Sequence, residues 1–455
     1  MNITLILKIL VFSSIGVLLR LIFYYSKFKD YLTSLLIFDQ SSYNFNNLKE
    51  NYIYNLIHKV SEAETKFNDF SKNAQVRDIT DNHYYSQYEF ISKPIILLYK
   101  YIKNFPNDKI FAFYIICDLV IALLISTYKF RNISKKEGEN NEDNKTCFNI
   151  GIFCFYLCNP ISITTCISFN LDVIYTLINI LFAYFIDNII LCPIFALISI
   201  ILSPGYIFVI IIYYIFLLVH NYKKYIINIL LTILLLFIYF KYGKAFGYLP
   251  FESLQNLYYN YYWFKDIRPN FGLLWVLIPS TFLKYQNYTL LMYLVYQIVL
   301  SLAVMISANR VKNTDYIYKK SLIYILIFYI NHVLDRYPCE NHLVIILCIL
   351  LQHYEIIRVK IFDLGIYCAF ASYTLIVCRG FPYTHRRSGS SNYLFYQNLT
   401  YGISQVMIIM FSLTGINDFR NKCKLKDEDK DKKIEEDKEK INENKIDNNI
   451  KQKID

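Results

Sequence analysis

The sequence contains little charge for its length. Asp, Glu, Lys and Arg make up 18% of its 455 residues, whereas soluble globular proteins have about 25%. Hydrophobic residues make up 55%, and apolar blocks such as 206 to 219 and 226 to 240 contain no charged residue. This composition excludes an ordinary soluble protein and indicates a polytopic membrane protein. The net charge of +11 does not indicate nucleic-acid binding, because short loops between membrane spans are expected to be basic.

Signatures of soluble hydrolases and metal sites are also absent. The sequence has no Gly-x-Ser-x-Gly elbow and no zinc-protease helix, and its seven histidines are scattered. Most of its cysteines fall inside apolar runs, where they are typical of small core residues. Cys154 and Cys158 are one helical turn apart, but no His or carboxylate accompanies them at a ligand spacing. We therefore predict no catalytic residue, no metal and no cofactor in this chain.

Multispan glycosyltransferases that use dolichol-linked sugars are also polytopic membrane proteins with a long first luminal loop. Their chemistry needs a luminal carboxylate, commonly in an Asp-x-Asp pair. No such pair occurs among the first five aspartates of the chain. Asp39 is the best candidate for such chemistry, since Asp78 and Asp81 lie in a polar insertion. The early aspartates are Asp30, Asp39, Asp69, Asp78 and Asp81.

A window of about 19 residues detects twelve apolar segments that are candidate membrane spans. Two further apolar pieces, at 91 to 102 and 271 to 283, are short or broken and are predicted to be interfacial or re-entrant helices. The sequence thus predicts an all-α membrane domain at residues 1–419. The twelve candidate spans are 4–23, 109–128, 147–167, 169–187, 188–203, 205–219, 225–241, 286–308, 321–334, 341–357, 360–378 and 396–416.

The distribution of Lys and Arg predicts the orientation of these spans. A cytoplasmic N-terminus places the basic loops 129–146, 220–224, 309–320 and 358–360 on the cytoplasmic side, as the positive-inside rule requires. The C-terminus is then cytoplasmic as well. A polar insertion at 44–82 falls in the first luminal loop, and residues 420–455 form a charged tail that we predict to be disordered.

Three carboxylates lie inside or at the ends of predicted spans: Asp118, Asp172 and Asp363. A charged side chain inside the membrane is energetically costly and therefore indicates a structural or functional role. No basic residue accompanies them at helical spacing, so we interpret them as hydrogen-bonding groups between helices. Proton-coupled transport is the alternative.

Three clusters on the predicted luminal side combine polar residues with residues that break helices. The segment 268–275 places Pro and Gly at membrane depth, where irregular backbone is tolerated only if it lines a cavity or is covered by protein. The segment 335–341 is a tight turn between two spans. The segment 388–396 is a small, polar entry into the last span.

The order of these clusters resembles the phosphatidylinositol glycan class U (PIG-U) family, a subunit of the GPI-anchor transamidase. Leu157-Cys158-Asn159-Pro160, the Ser34 to Asp39 segment, Lys93-Pro94-Ile95-Ile96, Asp118 and Ser203-Pro204 also resemble the family pattern, over about residues 1 to 418. The stretch between Asp39 and Tyr84 is longer than in that pattern, and Arg386 and Arg387 have no counterpart in it.

The resemblance implies the fold of the multispan (GT-C) glycosyltransferases without their sugar-transfer motif. It implies a non-catalytic subunit in the endoplasmic reticulum membrane that binds the GPI glycolipid. Its partners would be other transamidase subunits, including a cysteine-protease-like catalytic chain. The alternatives are a working dolichol-phosphate-sugar transferase or a transporter.

The luminal clusters supply the residues that we expect to contact the glycolipid. Apolar side chains would line the acyl part, and polar ones would lie near the glycan or phosphate. The two arginines would bind phosphate unless they only extend to the membrane interface. The apolar set is Phe271, Leu274 and Trp275, the polar set is Asn270, Tyr337, Asn341, Ser388, Ser390 and Asn392, and the arginines are Arg386 and Arg387.

Overall fold

A computed structural model describes most of the predicted membrane domain. The described residues are 3–27, 29, 106–127, 148–168, 172–220, 222–242, 251, 254, 255, 258, 285–309, 316–335, 340–357, 362–386, 396–418 and 421. All regular secondary structure within these ranges is helical. The prediction of an all-α polytopic membrane protein is therefore confirmed for the described part of the chain.

The helices follow the apolar segments of the sequence. They are α1 (Ile3–Tyr25), α2 (Asn107–Ile125), α3 (Ile150–Cys158), α4 (Pro160–Ile167), α5 (Asp172–Tyr184), α6 (Leu191–Leu202), α7 (Ile207–His220), α8 (Tyr222–Tyr242), α9 (Gln286–Asn309), α10 (Tyr316–Val333), α11 (Glu340–Gln352), α12 (Tyr354–Ile357), α13 (Phe362–Arg386) and α14 (Tyr396–Asp418), with a 3-10 turn at Pro204–Tyr206.

The segment predicted as one span at 147–167 is two helices that meet at an angle of 52°. Asn159 ends α3, and its side chain caps α4 by accepting a hydrogen bond from the Ile161 amide at 2.9 Å. Pro160 then occupies the first turn of α4, the position where a missing N–H costs nothing. The local sequence Asn159-Pro160 therefore accounts for the break between α3 and α4.

Helix length separates the elements into two groups. Within the described residues, α1, α8, α9 and α14 are long and apolar enough to cross a membrane, and α3 with α4 makes a fifth if the bent pair is one span. By contrast, α5, α6 and α7 have 13, 12 and 14 residues. At 1.5 Å per residue they are about 20 Å long, less than the roughly 30 Å of the hydrocarbon core. The count of twelve spans stays a prediction.

Helix α10 lies at the centre of the bundle. From Ser321 to Asp335 every side chain is buried, as expected for a helix that is apolar on all sides. It packs against α7, α9 and α11, while α11 also packs against α3, α4 and α5. The N-terminal helix α1 packs against α2, α3 and α4. One further difference from the sequence prediction is that α13 continues past residue 378 to Arg386.

Candidate functional site

A buried ion pair joins α1 to α2. The Arg20 guanidinium donates from Nη2 and Nε to Asp118 Oδ2, at 2.8 and 3.0 Å, and both side chains are at most 1% exposed. Burying two charges is costly unless they are paired and hydrogen-bonded. Here each charge has the other as its counter-ion. This finding corrects the sequence interpretation, which assigned Asp118 no basic partner, and confirms that Asp118 forms hydrogen bonds between helices.

Arg20 also closes the break between α3 and α4. Its Nη1 donates to the Leu157 carbonyl at 2.8 Å and to the Gly16 carbonyl at 3.1 Å. The Leu157 carbonyl lies in the last turn of α3, where the broken helix leaves carbonyl groups without an intrahelical partner. Gly16 allows the close approach, because a Cβ at that position would lie 3.1 Å from Leu157 Cβ. The guanidinium therefore satisfies both Asp118 and the interrupted backbone.

A hydroxyl on each side of the break completes this cluster. Ser162 Oγ, in the first turn of α4, donates to the Tyr156 carbonyl at 2.5 Å. The Tyr156 hydroxyl donates to Asp118 Oδ1 at 3.0 Å, and Asn341 Nδ2 lies 3.4 Å from the same hydroxyl oxygen. A chain of donors thus runs from Asn341 on α11 through Tyr156 to Asp118. The cluster fixes the positions of α1, α2, the α3–α4 break and the start of α11.

The residue after Asn341 belongs to a second buried cluster. The Tyr206 hydroxyl, in the 3-10 turn before α7, lies within hydrogen-bond distance of both ring nitrogens of His342, with Nε2 at 2.9 Å. Phe328 of α10 stacks on Tyr206 at 5.5 Å between centroids, and the His332 ring lies 6.3 Å from that of His342. The first turn of α11 therefore contacts one polar cluster through Asn341 and another through His342.

Several buried polar atoms have no hydrogen-bond partner at the end of the bundle where α11 begins. Within the described residues there are ten such side-chain atoms, and five belong to Tyr293, Asn331, His332 and Asn398. These residues lie near the start of α9, at the end of α10 and at the start of α14. Because native proteins satisfy most buried polar groups, an accumulation of unsatisfied ones needs an explanation such as a ligand.

The sides of α9 and α10 that carry these atoms face each other. Gln297 Nε2 donates to Asn331 Oδ1, which leaves Asn331 Nδ2 unsatisfied. Tyr293 precedes Gln297 by one helical turn, and its hydroxyl has no partner. On the other side of α10, the Tyr329 hydroxyl donates to Gln405 of α14. Asn398 lies two turns before Gln405, and both polar atoms of its side chain are unsatisfied.

The structure describes two of the residues predicted to contact a glycolipid. Asn341 is fully buried and bonded to Tyr156 as above. Arg386 is the last residue of α13. The other predicted contacts lie outside the described ranges: Asn270, Phe271, Leu274, Trp275, Tyr337, Arg387, Ser388, Ser390 and Asn392. Asp39, the insertion 44–82 and almost all of the tail 420–455 are also outside the described residues.

Sequence reasoning missed the partner of Asp118 and the buried polar groups of α9, α10 and α14. A signal for the first was present: Arg20 and Asp118 are opposite charges inside two apolar segments, and charges at membrane depth usually pair with one another. Asp363 is likewise a carboxylate inside a predicted span, and it accepts a hydrogen bond from the Tyr354 hydroxyl at 2.9 Å. Asn398 and Tyr293 had none, because nothing in the local sequence distinguishes them from the other polar residues of their helices, such as Gln405 and Gln297.

Comparison with models of known protein families identifies the family of the chain. A protein-family model described as GPI transamidase subunit PIG-U matches residues 14–401. This range contains every residue of the Arg20–Asp118 cluster and the unsatisfied residues from Tyr293 to Asn398, and it ends before the charged tail. A search of the curated proteins found no significant match.

Proposed function

Because the chain belongs to the PIG-U family of GPI transamidase subunits, we propose that it binds the GPI glycolipid and scaffolds its delivery to the catalytic subunit. The transamidase reaction cleaves a C-terminal signal from a protein and transfers the new carbonyl to the ethanolamine amine of the glycolipid. The catalytic residues belong to a separate, cysteine-protease-like chain. The present chain contributes a glycolipid site and contacts to the other subunits.

The proposal includes an orientation in the endoplasmic reticulum membrane. Both termini are cytoplasmic, twelve segments cross or enter the membrane, and the fold is of the multispan glycosyltransferase type. The basic segment 309–320, which overlaps the start of α10 at Tyr316, lies on the cytoplasmic side. The end of α10 and the starts of α9, α11 and α14 are then luminal. The five unsatisfied polar atoms of Tyr293, Asn331, His332 and Asn398 lie at this luminal end.

These atoms are the observation that carries the proposal. The phenol of Tyr293, the imidazole of His332 and the amides of Asn331 and Asn398 include both donors and acceptors. A glycan has hydroxyl groups that donate and accept, so it can satisfy all of them, whereas an acyl chain can satisfy none. The headgroup reaches the atoms by inserting between the ends of α9, α10 and α14.

The residues predicted from sequence extend this site. Phe271, Leu274 and Trp275 line its apolar part, while the arginines bind phosphate through charge-assisted hydrogen bonds. Asn341 is one of the polar contacts, and its bond to Tyr156 holds it at the start of α11. The remaining polar contacts are Asn270, Tyr337, Ser388, Ser390 and Asn392.

The test is to replace one unsatisfied side chain and measure the glycolipid that co-purifies with the complex. Asn398→Leu removes both unsatisfied atoms and keeps the approximate volume. Replacing a buried, unpaired polar group by an apolar one is close to neutral for folding. We therefore expect an assembled complex with roughly fivefold less bound GPI, and accumulation of uncleaved precursor proteins, since a lost hydrogen bond to a ligand costs about 1 kcal/mol or more.

Asn228 of α8 provides the matched control. It is also fully buried, with both side-chain polar atoms unsatisfied, but it lies near the start of α8, next to the basic loop 220–224. Asn228→Leu should leave bound GPI unchanged. Equal glycolipid content in the wild type and both variants would refute a glycolipid site among α9, α10 and α14.

A further inference from the structure

The outward face of α9 differs from those of the other poorly covered helices. On α1 and α8 the exposed large hydrophobic side chains are aliphatic apart from Phe237 and the tyrosines at the last position of each helix, Tyr25 and Tyr242. The exposed hydroxyl of Ser14 on α1 returns a hydrogen bond to the Leu10 carbonyl at 2.8 Å. Such faces suit contact with acyl chains.

Helix α9 exposes a tyrosine in its middle. Tyr296 is 56% exposed and lies ten residues after Gln286 and thirteen before Asn309. At 1.5 Å per residue its Cα is about 15 Å or more from either end of the helix. A tyrosine side chain is too short to bring its hydroxyl to the membrane interface from there. Among the described residues, the Tyr296 hydroxyl has no hydrogen-bond partner.

A phenol in hydrocarbon without a partner is costly, because the acyl chains offer neither donor nor acceptor. Tyrosines that face lipid therefore concentrate at the interface, as Tyr25 and Tyr242 do. Tyr288, near the start of α9, fits the same rule. Tyr296 does not, so something other than lipid must cover this part of α9.

The neighbours of Tyr296 form a seam suited to another helix. Met292, Tyr296, Val299 and Ala303 are exposed and follow one another at intervals of four, three and four residues, the spacing of one helix face. Ala303 permits close approach of a second backbone. Methionine and tyrosine are enriched in protein interfaces.

We propose that the seam Met292, Tyr296, Val299 and Ala303 is the docking surface for a transmembrane helix of another transamidase subunit. That helix presents a hydrogen-bonding group, either a polar side chain or a carbonyl exposed beside a small residue, to the Tyr296 hydroxyl. The inference requires that the chain is a subunit of a membrane complex, and it does not depend on glycolipid binding.

Photo-crosslinking in the intact complex tests this surface. A benzophenone amino acid replaces Tyr296 in one variant and Ile233 in the other. Ile233 is 58% exposed and lies in the middle of α8, so its exposure and depth match. We expect a crosslink from position 296 to a different subunit and only lipid adducts from position 233. Lipid adducts alone at 296, a crosslink to a second copy of this chain, or equal subunit crosslinks at both positions would overturn the proposal.

A second variant tests the hydroxyl itself. Tyr296→Phe keeps the ring and the fold, and it should reduce retention of the crosslinked subunit during detergent washing by about 3- to 30-fold, the range for one hydrogen bond between membrane helices. Tyr288→Phe, near the start of the same helix, should have no effect. Unchanged retention in Tyr296→Phe would contradict the proposed hydrogen bond even if the crosslink is found. Because retention is measured on the subunit and not on GPI, a failure here leaves the glycolipid proposal intact.

Discussion

Removing one charge of the Arg20–Asp118 pair leaves the other buried without a counter-ion. We expect Asp118→Leu to destabilise the protein by about 3–5 kcal/mol, as found when one partner of a buried pair is deleted. The double variant Arg20→Met with Asp118→Leu removes both charges and should be less destabilised than Asp118→Leu alone. The measurement is the thermal unfolding midpoint of the purified protein in detergent.

Asp363 is the control for this prediction. It is partly buried and accepts a hydrogen bond from Tyr354. Asp363→Asn keeps an acceptor oxygen, so its effect should remain near 1 kcal/mol or below. If Asp118→Leu were equally mild, or if the double variant were the least stable of all, the pair would not be the counter-ion arrangement described above.

At the level of residues, the sequence predicted kinds of interaction better than partners. The cost of a carboxylate at membrane depth predicted that Asp118 would form hydrogen bonds between helices, and this prediction is confirmed. Arg20 is 98 residues away, and no local pattern specifies a pairing at that distance. Whether Asn341 contacts the glycolipid stays a prediction; its bond to Tyr156 on α3 depends on how four helices meet and was not predictable from local sequence.

The packing of α14 against the end of α12 gives a prediction at the level of elements. A Cβ on Gly415 would lie 2.5 Å from the Ile357 carbonyl oxygen, and backbone cannot move aside as a flexible side chain can. Gly415→Ala should therefore separate α14 from α12 and destabilise the protein by roughly 1–3 kcal/mol. The measurement is the fraction of protein that remains monodisperse in size-exclusion chromatography after heating.

Gly151 on α3 is the matched glycine, because the nearest atom to its added Cβ is Asn149 Oδ1 at 3.4 Å. Gly151→Ala should be neutral or slightly stabilising, since alanine favours the helix. Similar losses in both variants would mean that the close packing of α14 on α12 is not what limits position 415.

Helix boundaries show what a hydropathy window detects and what it does not. The window located α1, α8, α9 and α14 within a few residues, because each is one long apolar run. It merged α3 and α4 into one span, although Asn159-Pro160 is a local signal for a helix end followed by a new start. A mean over about 19 residues averages out such a short interruption. The window did separate α5 from α6 at the polar turn of Asp187 and Asn188 and α6 from α7 at Ser203-Pro204, but the helices themselves are shorter, with 13 and 12 residues.

At the scale of the whole molecule, the sequence predicted the class and family of the protein, because both depend on composition and on motifs in order. It could not predict which polar groups of α9, α10 and α14 lie at one end of the bundle. That arrangement follows from antiparallel packing around α10, through contacts such as Gln297 with Asn331 and Tyr329 with Gln405. The predicted luminal clusters are the segments that connect or precede these same helix ends, so the two sets of residues indicate one region.

The charged tail allows a prediction about the whole chain. Lys, Asp and Glu predominate after Asn421 with balanced charge, so the segment has little apolar surface to bury against the bundle. Helix α14 ends at Asp418, and the family match ends at residue 401. Removal of residues 422–455 should therefore leave subunit co-purification and precursor cleavage at the wild-type level. A longer deletion that begins at residue 397 removes α14, with Asn398 and Gln405, and should abolish assembly. If the shorter deletion alone prevented assembly, the tail would contain a binding element that its composition does not reveal.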